Sequence, residues 1–330
     1  MATLESEVHR VRMRPISKIS IMVLLACTRF LAQRNPHDWL HDALVQEQLG
    51  HFEIAIDLAK LAVDSHQLSG VELGRGYVLL GVAYHQTGKF TEAKAAFEGS
   101  LRILGHDPEH VSDYAAALNN YGGLYGDVGQ LEVAEAMWLK ALHLRKQTGD
   151  HAAAMRSLTN LAQLALAQRR TRKAKQYLQQ AFGEMKLAPD PIGDDLVLLE
   201  ETQASVALGE DHSSAAVAGF QHALELCRQT RGDKHWLTGW EHMLRGKAYA
   251  QLGDINQALA DMRQGLAILE QALGPINTMY LGAQMAYSQI LDRAGLHAEA
   301  LQWQAAATRA SKDLVGRQCF ECTMNVVGFR

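Results

Sequence analysis

The side chains in this sequence best suited to metal binding or nucleophilic catalysis belong to its 15 histidines and 4 cysteines. Two histidine pairs, His37 with His41 and His106 with His110, have the i,i+4 spacing at which helical side chains share one face. Neither pair carries the glutamate of an H-E-x-x-H zinc motif, and the second pair spans Pro108. No G-x-S-x-G nucleophile turn, phosphate-binding glycine loop or recognisable carboxylate pair is present. The sequence therefore predicts no metal site, no cofactor and no catalytic function.

A C-x-x-C motif lies close to the C-terminus, at Cys319 and Cys322. In an exported protein these two thiols could form a disulfide, whereas the alternative is a pair of incidental thiols in a tail. No second C-x-x-C completes a four-cysteine zinc site, and Thr323 stands where a haem-attachment motif has histidine. Cys227 is expected in a helical core.

Within residues 1–32, four Lys or Arg side chains precede the short apolar run 19–27, a layout typical of a secretory signal. The run is shorter than the roughly 18–20 residues that span a bilayer. Its end, Leu-Leu-Ala-Cys, resembles a bacterial lipoprotein cleavage box, in which Cys27 would become lipidated. The alternative is an apolar first helix that caps a cytoplasmic protein. The segment predicts an exported protein, periplasmic or lipid-anchored, without a membrane span.

Seven alanines recur along the chain, each followed by a small residue seven positions later and, in most cases, by a bulky one at the fourth. They are separated by 38, 41, 40, 42, 42 and 42 residues, and a period of this length marks a solenoid of stacked repeats. Positions i, i+4 and i+7 share a helix face, so the small residues admit a neighbouring helix and the bulky one fills the gap. The alanines are Ala55, Ala93, Ala134, Ala174, Ala216, Ala258 and Ala300.

A turn glycine stands five residues before five of these alanines, where a left-handed conformation would separate two helices. Repeat four has Arg169 at this position. Repeat five has Gly209 seven residues before its alanine, which predicts two extra residues in the turn. In repeat seven, Gln304 replaces the bulky residue, as suits the exposed end of a stack.

Repeat two carries Tyr77, Leu80, Gly81, Tyr84, Gly88, Phe90, Ala93, Phe97 and Ser100. This pattern resembles the tetratricopeptide repeat, and the long period is similar to the kinesin-light-chain type, of which bacteria contain many examples. The resemblance implies an all-α, right-handed superhelix of about seven helix pairs over residues 33–310. Residues 1–32 would precede it as the signal-like segment, and 311–330 would follow as a tail with the C-x-x-C.

In the tetratricopeptide family the first helix of each pair lines a concave groove that holds extended peptides. Asn120 and Asn160 occupy equivalent positions in adjacent repeats, and each amide could bond both an N–H and a C=O of a peptide backbone. The alternative is that they contact neighbouring helices. Carried over by position, the resemblance implies a peptide-binding groove at Arg75, His85, Asn119, Asn120, Asp127, Arg156, Thr159, Asn160, Gln163, Gln203, Lys247 and Gln251.

Composition is consistent with a binding protein. The 48% of apolar residues can supply a continuous core, and a formal charge of -4 gives no indication of nucleic-acid binding. We therefore expect a non-catalytic scaffold whose partner is a protein or peptide, with self-association through its terminal repeats as a further route of assembly. The alternative function is a peptide-responsive sensor domain of a signalling system.

Overall fold

The computed structural model describes residues 35–105, 108–188 and 193–317. Within these ranges every regular element is helical, and the 14 α-helices form seven consecutive pairs. This confirms the predicted all-α repeat superhelix. The helices are α1 Pro36–Gln48, α2 Phe52–Asp64, α3 Gly70–Gln86, α4 Phe90–Leu104, α5 Val111–Asp127, α6 Leu131–Thr148, α7 His151–Ala167, α8 Thr171–Met185, α9 Gly193–Gly209, α10 Ser213–Arg231, α11 Trp236–Leu252, α12 Ile255–Leu273, α13 Thr278–Arg293 and α14 His297–Arg317; a short 3₁₀ turn, Pro108–His110, precedes α5.

The turn inside each pair has the same form in all seven repeats. The five predicted glycines adopt positive φ angles, and in repeat four Arg169 adopts φ 57° in the same place. In repeat five Asp211, five residues before Ala216, takes this position with φ 61°, so Gly209 merely ends α9. The predicted two-residue insertion is therefore wrong, because an aspartate tolerates the left-handed conformation that the pattern reserved for glycine.

In repeats two, three and six, the bulky residue of the second helix packs onto a glycine of the first helix. A Cβ added to Gly81 would lie 2.6 Å from the Phe97 ring, and one added to Gly122 would lie 2.8 Å from Trp138 Nε1. A Cβ added to Gly246 would lie 2.8 Å from Cγ of Met262. The two helices of these pairs can approach closely because glycine has no side chain at the point of contact. This explains why small residues recur at these positions of the sequence.

Stacking is continuous because each second helix also packs against the first helix of the next pair. Successive first helices contact one another more extensively than successive second helices do, so the array curves towards the first helices. We call the surface formed by α1, α3, α5, α7, α9, α11 and α13 the concave face. At the end of the stack Gln304 is exposed, as predicted, and self-association there stays a prediction.

The superhelix curves far enough to contact itself. Arg231 and His235, beside the α10–α11 loop, each donate a hydrogen bond to the carbonyl of Gln48, at 3.1 and 3.2 Å. Trp236 packs near Phe52, with ring centroids 6.5 Å apart. A second contact joins Asn277, after α12, to the carbonyl of Gln86 at 2.9 Å. These contacts, which we call the closure contacts, join repeats one and two to the loops that flank repeat six.

Several predicted features lie outside the described residues, namely Cys27, the pair Cys319 and Cys322, and segment 1–32. The last helix extends to Arg317, inside the segment predicted as a tail. None of the helices in the described part of the chain is long and apolar enough to cross a membrane.

Candidate functional site

Polar side chains on the concave face connect each first helix to the next. Arg75 on α3 donates two hydrogen bonds to Asp113 on α5, at 2.6 and 2.9 Å. His85 Nε2 lies 2.8 Å from the carboxylate of Asp127, so two predicted groove residues bind each other. Because these pairs are largely exposed to solvent, each contributes at most about 1 kcal/mol to stability. Their geometry nevertheless fixes the spacing of α3 and α5.

The next repeats continue the same pattern. Arg156 on α7 forms a two-bond ion pair with Asp195 on α9, at 2.5 and 2.7 Å. Burial opposes the charge, but the hydrogen bonds to Asp195 are the larger effect and raise the pKa of Arg156. Gln163 donates to Glu201 at 3.2 Å. Gln251 on α11 reaches the carbonyl of Leu208, at 2.9 Å.

Asn119 does not face the groove, contrary to the prediction. Its side chain is buried and accepts hydrogen bonds from Arg145 at 3.0 Å, Ser157 at 3.3 Å and Asn160 at 3.2 Å. Arg145 is itself buried, and burial lowers its pKa to about 10. Asn119 is therefore an internal acceptor that ties repeats three and four together. Thr159 is also fully buried and bonds only the carbonyl of Met155, so it too is internal.

Asn120, the neighbour of Asn119, has a different environment. It is half-buried on α5 and its amide makes no hydrogen bond with the described residues. Asn160, its equivalent on α7, uses its amide N–H₂ on Asn119, while its oxygen accepts no described hydrogen bond. Of the two predicted backbone-binding amides, Asn120 is the one whose donors and acceptor both stay available.

Two predicted residues lie on the later first helices. Gln203 is exposed, and its selection depends on taking Gly209 as the turn glycine of repeat five. With Asp211 in the turn, Ser205 takes the equivalent position, so Gln203 leaves the predicted set. Lys247 on α11 is half-buried, and burial lowers its pKa.

The sequence analysis missed a pair of carboxyl groups, Glu201 on α9 and Glu241 on α11. Glu241 is completely buried, and neither of its oxygens has a hydrogen-bond donor among the described residues. Burial, followed by the adjacent Glu201, raises the pKa of Glu241 well above its ordinary value. Burial likewise raises the pKa of Glu201, although hydrogen bonds with Glu241 and the Trp240 indole oppose the shift. In the corrected register of repeat five, Glu201 aligns with Asn119 and Thr159. Correct alignment would therefore have added Glu201 to the predicted groove residues, although its two equivalents are internal.

Metal binding has no support in the described part of the chain, where no three His, Cys, Asp or Glu side chains cluster as ligands. His37 instead lies 3.1 Å from Glu72 on α3. His41 makes no ion pair with the described residues.

Comparison with known proteins agrees with this architecture. Models of the tetratricopeptide repeat match residues 74–103, 113–183 and 245–277. The chain is 31% identical over 121 residues to the cytochrome c-type biogenesis protein CycH of Rhizobium meliloti, a match that covers 34% of this chain and 31% of that protein. The match therefore spans about a third of the length of that curated relative.

Two solved structures share most of the fold. The Rap conjugation gene regulator of plasmid pLS20, in complex with the Phr* peptide, gives a TM-score of 0.63 at 16% identity, covering 97% of this chain and 82% of that one. A Rap protein complexed with competence and sporulation factor gives 0.62 at 14% identity, covering 84% and 77%. At this identity the likeness concerns the fold. The repeat matches and the seven helix pairs show that this chain is a tetratricopeptide-repeat protein, a class built for protein interaction.

Proposed function

We propose that this protein holds an extended peptide segment along its concave face. The observation that carries the proposal is Asn120, a half-buried amide on α5 that makes no hydrogen bond with the described residues. Leaving a shielded amide unpaired costs free energy, and a peptide backbone offers both the acceptor and the donor that it lacks. The similar Rap structures, one in complex with the Phr* peptide and one with competence and sporulation factor, support a peptide as the occupant.

Mixed polarity across the face fits an extended backbone better than a fixed terminal carboxylate. Arg75, His85 and Arg156 are each already hydrogen-bonded to a carboxylate, so they do not form a free basic clamp. Backbone recognition by amides reads little of the peptide sequence, so specificity must come from additional side-chain contacts.

The experiment has two stages. Affinity capture with the full chain and mass spectrometry would identify a partner, and binding of a synthetic segment of that partner would then be measured by calorimetry. Asn120→Ala should weaken binding several-fold, because one hydrogen bond contributes about 0.5–1.5 kcal/mol. Its melting temperature should stay close to that of the wild type. Asn160→Ala should weaken binding similarly but also lower stability, because it loses the bond to Asn119.

Gln203→Ala is the matched control, since Gln203 is an exposed polar residue outside the corrected groove register. Normal binding by Asn120→Ala, or an equal loss in the Gln203 control, would contradict the proposal.

A peptide-responsive sensor is the second candidate function, and the closure contacts favour it. A ligand that widens the concave face would have to break the bonds of Arg231 and His235 to Gln48, which converts local binding into a change of curvature. Small-angle scattering with and without the identified peptide tests this proposal. An unchanged scattering profile would refute the sensor function and leave only the scaffold function.

A further inference from the structure

The carboxyl groups of Glu201 and Glu241 meet between two adjacent first helices, those of repeats five and six. Glu241 is 0% exposed, and among the described residues the group in hydrogen-bonding contact with it is the Glu201 carboxyl. Two ionised carboxylates cannot bond each other, so one of the two must carry a proton. That proton provides the donor without which the oxygens of Glu241 have no hydrogen bond.

Burial decides which carboxyl holds the proton. Glu241 has no contact with solvent, whereas Glu201 is only half-buried. Glu241 is therefore the neutral acid and donates to Glu201. Glu201 also accepts from Gln163 Nε2 at 3.2 Å and from the indole N–H of Trp240. These hydrogen bonds hold the Glu201 carboxylate in one orientation and oppose the effect of burial, which nevertheless raises the pKa of Glu201 to about 7.

No positive charge balances this anion within the described residues. Neither carboxyl forms an ion pair, and no lysine or arginine acts on the pKa of either group. The other titratable group packed nearby is the buried thiol of Cys227 on α10, which is neutral because burial, with Glu241 next, raises its pKa. Lys247 lies further along α11, and burial is the one influence on its pKa.

We propose that Glu201 anchors a cationic side chain, an ammonium or guanidinium group, of the peptide held on the concave face, and that Glu241 is its positioning residue. The inference rests on the proposed function, which it deepens by naming a ligand feature. An ionised carboxylate in a partly shielded site gains most from a cation, because screening by water is weaker there.

The test uses the full chain and a small probe, N-acetyl-argininamide, with its uncharged analogue N-acetyl-citrullinamide. Binding is followed by NMR through the side-chain carboxyl signals of ¹³C-labelled glutamate. We expect the arginine probe, and not the citrulline probe, to shift the Glu201 signal. Its affinity should fall at least about fivefold between about pH 8 and about pH 6, because protonation of Glu201 removes the anion.

Variants separate anchoring from structure. Glu201→Gln should abolish the specific binding, whereas Glu200→Gln, a neighbouring α9 glutamate that faces His222 at 3.5 Å, should leave it unchanged. Glu241→Gln retains a donor towards Glu201 and should keep binding, while Glu241→Leu should weaken it. Equal binding of both probes, or undiminished binding by a folded Glu201→Gln protein, would overturn the inference.

The test of the Glu201 site and the test of the peptide proposal can fail separately. If the arginine probe binds at Glu201 but no polypeptide depends on Asn120, the cation site stands and the groove function fails. If Asn120 governs peptide binding while the arginine probe does not bind, the groove function stands and the Glu201 anchor is wrong.

Discussion

Trp138 should dominate the stability of the central repeats. Its side chain is 7% exposed, lies against Gly122 and Gly126, and donates a hydrogen bond of 2.9 Å to the carbonyl of Asn119. Removal of such an aromatic side chain costs about 3–5 kcal/mol, because the helices cannot fully close the cavity. Trp138→Phe keeps much of the packing and loses the hydrogen bond, so its cost should be about 1–2 kcal/mol.

The same contact can be perturbed from the other helix. A methyl group added in Gly122→Ala would lie 2.8 Å from the indole nitrogen, and such overpacking costs about 1–3 kcal/mol. In the Trp138→Ala background the methyl group enters a cavity, so its cost should largely disappear. The free energies of unfolding of the wild type and of each variant are measured by urea unfolding, followed by far-ultraviolet circular dichroism. A loss below about 1 kcal/mol for Trp138→Ala, or an unchanged cost of Gly122→Ala in that background, would refute this packing scheme.

Two further predictions concern acid stability and export. Asp261 is buried, which alone raises its pKa, but hydrogen bonds from Arg245 and His242 outweigh this and lower it. A lowered folded-state pKa stabilises the fold above the ordinary carboxyl range, and this stabilisation is lost as pH falls through the folded-state value. Asp261→Asn should therefore destabilise the protein at neutral pH, and the difference from the wild type should shrink as pH falls below the ordinary carboxyl range; a pH-independent difference in urea midpoint would contradict this. Sequencing of the native N-terminus should find processing before Cys27 or near Ala32, whereas an intact Met1 in the cytoplasmic fraction would oppose export, and palmitate labelling lost in Cys27→Ser would select the lipid-anchored form.

The repeat architecture was predictable because a solenoid reuses one packing contact. Gly81 against Phe97 and Gly122 against Trp138 follow directly from the small and bulky positions of the sequence. The register of repeat five was not predictable from glycine alone, since Asp211 adopts the left-handed turn at a modest energetic cost. Because of this two-residue error in alignment, the sequence analysis selected Gln203 as a groove residue and missed Glu201.

Side-chain direction was harder to predict than helix position. Asn119 and Asn120 are adjacent, yet one is the buried acceptor of three hydrogen bonds and the other makes none. The difference depends on Arg145, which reaches Asn119 from the second helix of the same pair. Pairing between a first and a second helix leaves no periodic signal along the chain, so position in a repeat could not separate the two amides.

The closure contacts alter how this array can fold. An open solenoid unfolds from its ends, because a terminal repeat has one neighbour. Here the turn at Gln48 is bonded to residues 183 and 187 positions away, so fraying of repeat one also removes the partner of Arg231 and His235. Contacts between residues so far apart in sequence increase the entropic cost of loop closure, and folding is therefore slower. Repeats one, five and six therefore belong to one cooperative unit, and deletion of repeat one should destabilise repeats five and six first.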